Sequence, residues 1–176
     1  MPRLSNRVRY VLAHSFVIQT TVTRRSGIPR SVETTYVWDG QDHVYLSGYP
    51  GKRDWVASMT ANPQVTVHTV EGTEETGWYD IPASARVLRD RNERLPHLLA
   101  FVERWAKRPG FPRLPFQIAL AMIRLNRRLY LPWWGPFYLA RRFLDQMPCV
   151  ELIFTGDPVA RSNGPSVASW PEAGVS

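Results

Sequence analysis

The chain has 176 residues and a mass of 20.2 kDa, and 44% of its residues are apolar, which suits one globular domain and excludes a wholly disordered protein. Twenty-two Lys and Arg against fifteen Asp and Glu give a formal charge of +7, so phosphate, nucleic acid or a lipid surface are candidate partners. The single cysteine, Cys149, excludes an intramolecular disulfide and a multi-cysteine zinc site, and its apolar surroundings predict a buried structural thiol.

The N-terminal residues carry three arginines ahead of a short apolar stretch, which His14 interrupts, and no small-residue cleavage site follows. We therefore expect no signal peptide. The longest apolar segment, 114–139, is broken by three arginines, so we expect no membrane-spanning helix.

Alternating apolar and polar residues predict three strands in the first part of the chain. A β-rich run at 15–22 leads into a basic turn at 23–30, and a second alternating run follows at 32–38. Asp39-Gly40 then turns the chain into a third strand at 44–47. The short connections predict neighbouring antiparallel strands.

A loop at 48–53 separates these strands from a helix at 54–61, which Asn62-Pro63 ends. Alternation then predicts strands at 65–67 and 78–88. An amphipathic helix follows at 90–107, and Pro96 is expected in its first turn.

The segment 104–144 is unusual because it contains nine basic residues, many aromatic residues and no acid. It predicts two helices divided at 132–136. In the first of these helices, the spacing places four polar residues on one side, opposite many of the Leu and Ile residues. The four are Arg113, Gln117, Arg124 and Arg128. A strand at 150–154 closes the fold, and 157–176 is predicted to be a flexible tail after a single domain at 1–156.

Familiar signatures of catalysis are absent from the sequence. The four histidines are scattered without metal-ligand spacing, so no metal site is expected, and no G-x-S-x-G, Walker or G-x-G-x-x-G motif occurs. Two basic turns remain, each after a predicted strand: 24–30, and Lys52-Arg53 at the start of a helix, where an anion could bind.

Two segments in the first half of the chain carry a family resemblance. Residues 21–30, TVTRRSGIPR, resemble the T-x-G-R-K-S-G-x-P-R segment of deazaflavin-dependent nitroreductases and quinone reductases. Residues 55–67, WVASMTANPQVTV, resemble their W-x-x-N-L-x-A-N-P-x-V-x-V segment. Thr23, Ser58 and Thr60 depart from the usual Gly, Asn and Lys, and the loop 48–54 is shorter than in the quinone reductases.

The resemblance implies an α+β, mainly β fold: a split β-barrel like the FMN-binding pyridoxamine oxidases. The helical pattern of this sequence adds an insertion at about 90–145, whose aromatic part exceeds what a minimal family member carries. The resemblance also implies binding of reduced deazaflavin coenzyme F420 and hydride transfer to a nitro-, quinone- or enone-type acceptor. The cofactor-binding residues that it implies are Arg24, Arg25, Ser26, Arg30, Ser47, Gly48, Lys52, Arg53 and Trp55. A phosphorylated coenzyme with a carboxylate tail suits arginine forks.

Hydride transfer to an acceptor oxygen needs a hydrogen-bond donor as negative charge develops. Tyr130 and Tyr138 are the catalytic candidates, because the aromatic insertion is placed in sequence to form a lid. Packing alone would also explain both side chains.

Alternatives stay open at this point. A phosphate loop serves FMN as well as F420, and a non-catalytic barrel could bind a lipid, haem or another hydrophobic ligand. The expected partners are a small hydrophobic acceptor and no nucleic acid; a homodimer and peripheral membrane contact through 113–142 are compatible with the sequence. The expected location is the cytoplasm, including the inner face of its membrane.

Overall fold

A computed structural model describes residues 2–48, 51, 53–107, 113–162 and 164 of the chain. Its helices are α1 (Asn6–His14), α2 (Asp54–Ala61), α3 (Arg91–Ala106), α4 (Arg113–Arg128) and α5 (Pro136–Gln146). Its strands are β1 (Val17–Thr23), β2 (Pro29–Trp38), β3 (His43–Ser47), β4 (Gln64–Thr69), β5 (Trp78–Val87), β6 (Cys149–Phe154) and β7 (Val159–Arg161).

Six antiparallel strands close into a barrel in the order β4-β1-β2-β3-β6-β5, and β5 pairs with β4 to complete the ring. Closure gives each of the six barrel strands a paired strand on both sides, and β7 pairs with the first three residues of β5. The mainly β, α+β split-barrel fold expected from the sequence is confirmed.

Alternation along the strands fills the barrel interior with apolar side chains. On β1, every second residue is buried, as period-2 patterning requires. Helix α1 adds Val8 and Leu12 to the same core cluster, and the Tyr36 hydroxyl donates a 2.7 Å hydrogen bond to the carbonyl of Leu12. The sequence analysis did not predict α1, although Val8, Val11 and Leu12 have helical spacing.

The helices of the second half build a second core on the outside of the barrel. Residues of α3, α4 and α5 pack together with Met147 and Cys149, and the outer-facing Val37 and Tyr45 border this cluster. Cys149 is 2% exposed, and burial raises the pKa of its thiol to about 12, so the predicted buried structural thiol is confirmed.

Three details differ from the sequence-based expectations. Pro96 is the sixth residue of α3 and lies in its second turn, because Asp90 caps the helix and Arg91 begins it. Residues 159–161, inside the predicted flexible tail, form strand β7 on β5. The stretch 165–176 of that tail lies outside the described residues.

The third difference concerns α4, whose apolar residues occupy two sides of the helix. Leu120 and Ile123 are buried against α3, whereas Leu114, Ile118 and Leu125 are more than half exposed. The prediction of one basic side opposite one apolar side was therefore wrong, because the helix carries more apolar residues than its packed side can bury. None of the helices in the described part of the chain combines the length and hydropathy needed to cross a bilayer.

Candidate functional site

The hairpin between β1 and β2 presents three arginines, which we call the arginine turn: Arg24, Arg25 and Arg30. Gly27 adopts φ +83° and donates its N–H to the carbonyl of Arg24 at 2.9 Å, which tightens the turn. All three arginines are exposed, and none forms an ion pair with another described residue. Three guanidinium groups in one hairpin form a concentration of positive charge that the described fold leaves uncompensated.

Arg30 lies at the rim of the barrel. It pairs directly with the fully buried Val22, and directly paired residues project to the same side of a sheet. The side chain of Arg30 therefore starts on the inner side of the wall, where the barrel ends. Ser26 is exposed in the turn itself.

Asn62 joins the arginine turn to helix α2. Its side-chain amide donates to the carbonyls of Thr23 and Arg24 at 3.0 and 3.2 Å, while its own N–H caps α2 on the carbonyl of Ser58. The sequence analysis used Asn62 only as the end of a helix. Its position in the A-N-P part of the resembling segment was the signal that could have identified this role.

Gly51 and Arg53, the described residues between Gly48 and α2, lie at the opposite end of α2 from the arginine turn. Gly51 donates its N–H to the carbonyl of Gln146 at 3.0 Å, and Arg53 stands exposed at the N-cap of α2. Lys52 lies outside the described residues. An eight-residue helix is about 12 Å long, so Arg53 and the arginine turn lie at opposite ends of α2, separated by roughly that length.

Two of the residues predicted to bind the cofactor are buried and make contacts within the protein itself. Ser47 is 4% exposed, and its hydroxyl donates to the carbonyl of Pro148 at 2.7 Å. Trp55 is 8% exposed and packs into the barrel core from the first turn of α2. Gly48, which follows β3, is half-buried with open space where a Cβ would be, so backbone approach by a ligand remains sterically open there.

The N-terminus of α2 is not a simple anion site. Asp54 provides a carboxylate in the first turn, and a carboxylate there already interacts favourably with the positive end of the helix dipole. A phosphate bound beside it would depend on the basic side chains of the loop, because the Asp54 carboxylate would repel it.

The two catalytic candidates are exposed on the helical insertion. Tyr130 follows α4 with φ 54° and is 90% exposed, and Tyr138 in α5 is 54% exposed. Neither hydroxyl has a hydrogen-bond partner among the described residues. Both groups are free to meet a ligand, but no described contact joins them to the arginine turn.

A buried charged network that the sequence analysis missed lies between β3, β5, β6 and α3. Glu151 is 4% exposed and accepts hydrogen bonds from Arg86 Nε at 2.7 Å and Tyr45 Oη at 3.2 Å. His43 Nδ1 lies 2.9 Å from the same carboxylate, and the His97 ring stacks on Tyr45 with centroids 3.6 Å apart.

The pKa values in this network follow from its contacts. Burial alone would raise the pKa of Glu151, but the hydrogen bonds from Arg86 and His43 outweigh it and hold the pKa below its usual value. Burial, reinforced by the Glu151 charge, raises the pKa of Tyr45 to about 12, and burial lowers the pKa of His97. The network therefore holds an ionised carboxylate beside a neutral phenol.

His43 also lies beside Asp39 and Asp42, and one ligand atom of each of these three residues falls within 4.8 Å of the others. Asp39 already accepts the N–H groups of Gln41 and His43 and so closes the turn between β2 and β3. We interpret this cluster as turn structure.

A shallow cleft has a volume of about 240 Å³. It is lined by Phe16, Val17, Glu33, Thr34, Thr35 and Trp105. None of the predicted site residues that the structure describes lines it. The cleft is therefore separate from the arginine turn.

Comparison with known proteins supports the fold. No family model matches the sequence, and no curated protein matches it. Among solved structures, a candidate 5-nitroimidazole antibiotic resistance protein from Bacteroides thetaiotaomicron aligns with a TM-score of 0.56 and 10% identity, over 86% of this chain and 80% of that one.

A candidate pyridoxamine 5′-phosphate oxidase from Listeria innocua aligns with a TM-score of 0.53 and 10% identity, over 90% of this chain and 98% of that one. The haem storage protein HutZ from Vibrio cholerae aligns with a TM-score of 0.53 and 12% identity, over 92% and 97% of the two chains. These similarities show that the fold is a pyridoxamine-oxidase-like split barrel. Because the sequence identities are only 10–12%, they show the fold alone.

Proposed function

We propose that this protein is an oxidoreductase that binds reduced deazaflavin coenzyme F420 and promotes hydride transfer to a hydrophobic quinone-, nitro- or enone-type acceptor. The observation that carries this proposal is the arginine turn, where Arg24, Arg25 and Arg30 are exposed without ion-pair partners among the described residues. Two relatives of the same fold carry names that fit redox chemistry or a nitro-aromatic compound.

The residues present fit the acidic part of such a coenzyme. A tail with phosphate and several carboxylates needs repeated cations, and planar guanidinium groups bind carboxylates through paired hydrogen bonds. Asn62 holds the backbone of the arginine turn against α2, so the arginines extend from an ordered hairpin. Lys52 and Arg53 are the further cations that the proposal assigns to the phosphate.

The coenzyme, when bound, supplies the hydride chemistry, and the protein orients the two rings and excludes water. In this proposal, the insertion covers the acceptor, and Tyr130 or Tyr138 donates a hydrogen bond to the acceptor oxygen as negative charge develops. Both hydroxyls are free to donate, since they have no partner in the described part of the chain.

A titration of the purified protein with F420 and FMN side by side tests the proposal. We expect F420 to bind more tightly, and Arg25→Ala with Arg30→Ala to weaken its binding by about 10- to 100-fold, at roughly 1 kcal/mol or somewhat more for each lost contact. Arg7→Ala with Arg89→Ala removes the same charge from exposed sites elsewhere and is the matched control. Equal affinity in the two double variants would overturn the role of the arginine turn.

The same titration distinguishes the alternatives. Tighter binding of FMN would favour a flavin-dependent split-barrel oxidoreductase. Binding of neither cofactor would favour a non-catalytic ligand-binding barrel, a reading supported by the structural similarity to a haem storage protein.

A further inference from the structure

Helix α4 exposes a continuous line of large apolar side chains, which we call the exposed stripe: Leu114, Ile118, Met122, Leu125 and Leu129. These residues are 69, 52, 50, 57 and 56% exposed. At about 100° per residue they project within about 80° of one another. The stripe lies on the opposite side of the helix from the buried Leu120 and Ile123, so packing onto α3 does not require it.

Further large apolar side chains are exposed after α4 in the sequence. Tyr130, Leu131 and Trp134 follow directly and are 90, 43 and 57% exposed. On α5, Leu139 and Phe143 are 69 and 47% exposed, on the side away from the buried Phe137 and Leu144. No described residue of this chain covers these side chains. Exposed apolar residues at this density mark an interaction surface rather than the ordinary scatter of single residues.

Basic side chains flank this apolar surface. In the sequence, Arg128 lies between Leu125 and Leu129 of the stripe, and Arg142 lies between Leu139 and Phe143 on α5. Both arginines are exposed and have no ion-pair partner in the described ranges. Arg124 binds Glu103 of α3. The sequence from 104 to 144 contains no acid at all. Large apolar side chains bordered by arginine are typical of helices that lie in the plane of a membrane interface.

We propose that α4 and α5 dock on an anionic lipid bilayer, with the exposed stripe inserted at the level of the headgroups and Arg128 and Arg142 against lipid phosphate. Charge favours lipid over a second copy of the chain. A two-fold interface through this surface would bring the same basic patches of two subunits together, whereas an anionic leaflet neutralises them. This inference does not depend on the cofactor or the reaction.

Flotation with vesicles tests the proposal. We expect the full-length protein to bind phosphatidylcholine vesicles that contain about 30 mol% phosphatidylglycerol, to bind pure phosphatidylcholine vesicles much more weakly, and to lose affinity as salt rises. Ile118→Ser with Leu125→Ser should reduce partitioning at least about tenfold, and Val159→Ser, at a 63% exposed residue of β7, should leave it unchanged.

The basic residues have their own test. Arg128→Ala with Arg142→Ala should weaken binding to anionic vesicles by roughly 20-fold, from about fivefold per basic residue, while Arg7→Ala with Arg89→Ala controls for net charge. Circular dichroism melting verifies that each variant folds. Absence of vesicle binding at low salt would overturn the proposal. So would vesicle binding that the stripe variant leaves unchanged, or a dimer that the same variant converts to monomers without any lipid binding.

Discussion

The substitution Glu151→Gln tests the charged network between the barrel and α3. It preserves the shape of the side chain but removes the charge that Arg86, Tyr45 and His43 face from 2.7 to 3.2 Å. Glu151 is 4% exposed, so water cannot replace these contacts without local opening.

The magnitude follows from the exposure of each partner. Hydrogen bonds to a charged group are worth about 1.5–3 kcal/mol when buried, but the Arg86 side chain is 55% exposed, so its contribution is nearer 1 kcal/mol. Since glutamine still accepts one of the bonds, we expect the free energy of unfolding to fall by about 3 kcal/mol at pH 7. Against a typical total of about 5–15 kcal/mol, this is readily measured.

The pH dependence provides a second readout. The pKa of Glu151 is held below its usual value in the folded protein, so its ionised form stabilises the fold at pH values above the unfolded pKa of about 4.3. This stability is lost as the pH falls through the depressed folded pKa. Glu151→Gln should therefore flatten the acid limb of the stability curve.

Urea unfolding at a series of pH values between about 7 and 3 measures both effects. Glu33→Gln, at an exposed residue of β2 without an ion pair among the described residues, is the matched control and should change stability by less than about 0.5 kcal/mol. If Glu151→Gln changes stability no more than this control and leaves the acid limb as steep as in the wild type, the network does not stabilise the fold as argued.

Two further predictions concern buried groups. Tyr36→Phe should lower the free energy of unfolding, measured in urea, by about 1–3 kcal/mol, because the Leu12 carbonyl loses its hydrogen-bond donor. The Arg104 guanidinium, 4.9 Å from the ring centre, keeps its aromatic partner. An unchanged free energy would show that this hydrogen bond does not secure α1. Cys149 should react with a thiol reagent at pH 8 at least about 100-fold more slowly in the folded protein than in urea. Burial raises the pKa of the thiol to about 12 and also excludes the reagent. Equal reaction rates in the two states would contradict the buried position.

The local elements were predictable because short-range patterns decide backbone conformation. Alternation and short β-rich or apolar runs identified β1 to β6, and helical spacing identified α2 and α3. Proline and glycine at 132–136 marked the division of the insertion into α4 and α5. Strand β7 was missed because three residues carry too little pattern to distinguish them from a loop.

The candidate site was predictable only in part. Resemblance pointed to the arginines of the hairpin, but it did not show that Asn62 binds that hairpin to α2, since the contact joins residues 38 and 39 positions apart. The resemblance also assigned Ser47 to the cofactor, and that assignment stays a prediction. It did not show that strand register places Ser47 opposite Cys149, with its hydroxyl on the Pro148 carbonyl.

The sequence by itself therefore determined six of the seven described strands, most helices and the clustering of arginine that motivates a cofactor with an acidic tail. Tertiary structure alone decided which charges are compensated. Strand register brings Glu151 opposite Tyr45, 106 positions earlier, and beside Arg86, with which it forms an ion pair. The hairpin leaves Arg24, Arg25 and Arg30 without ion-pair partners in the described fold. The tertiary structure also decided which apolar side of α4 is buried against α3 and which is exposed, because burial depends on where a helix packs, and amino-acid composition does not contain that information.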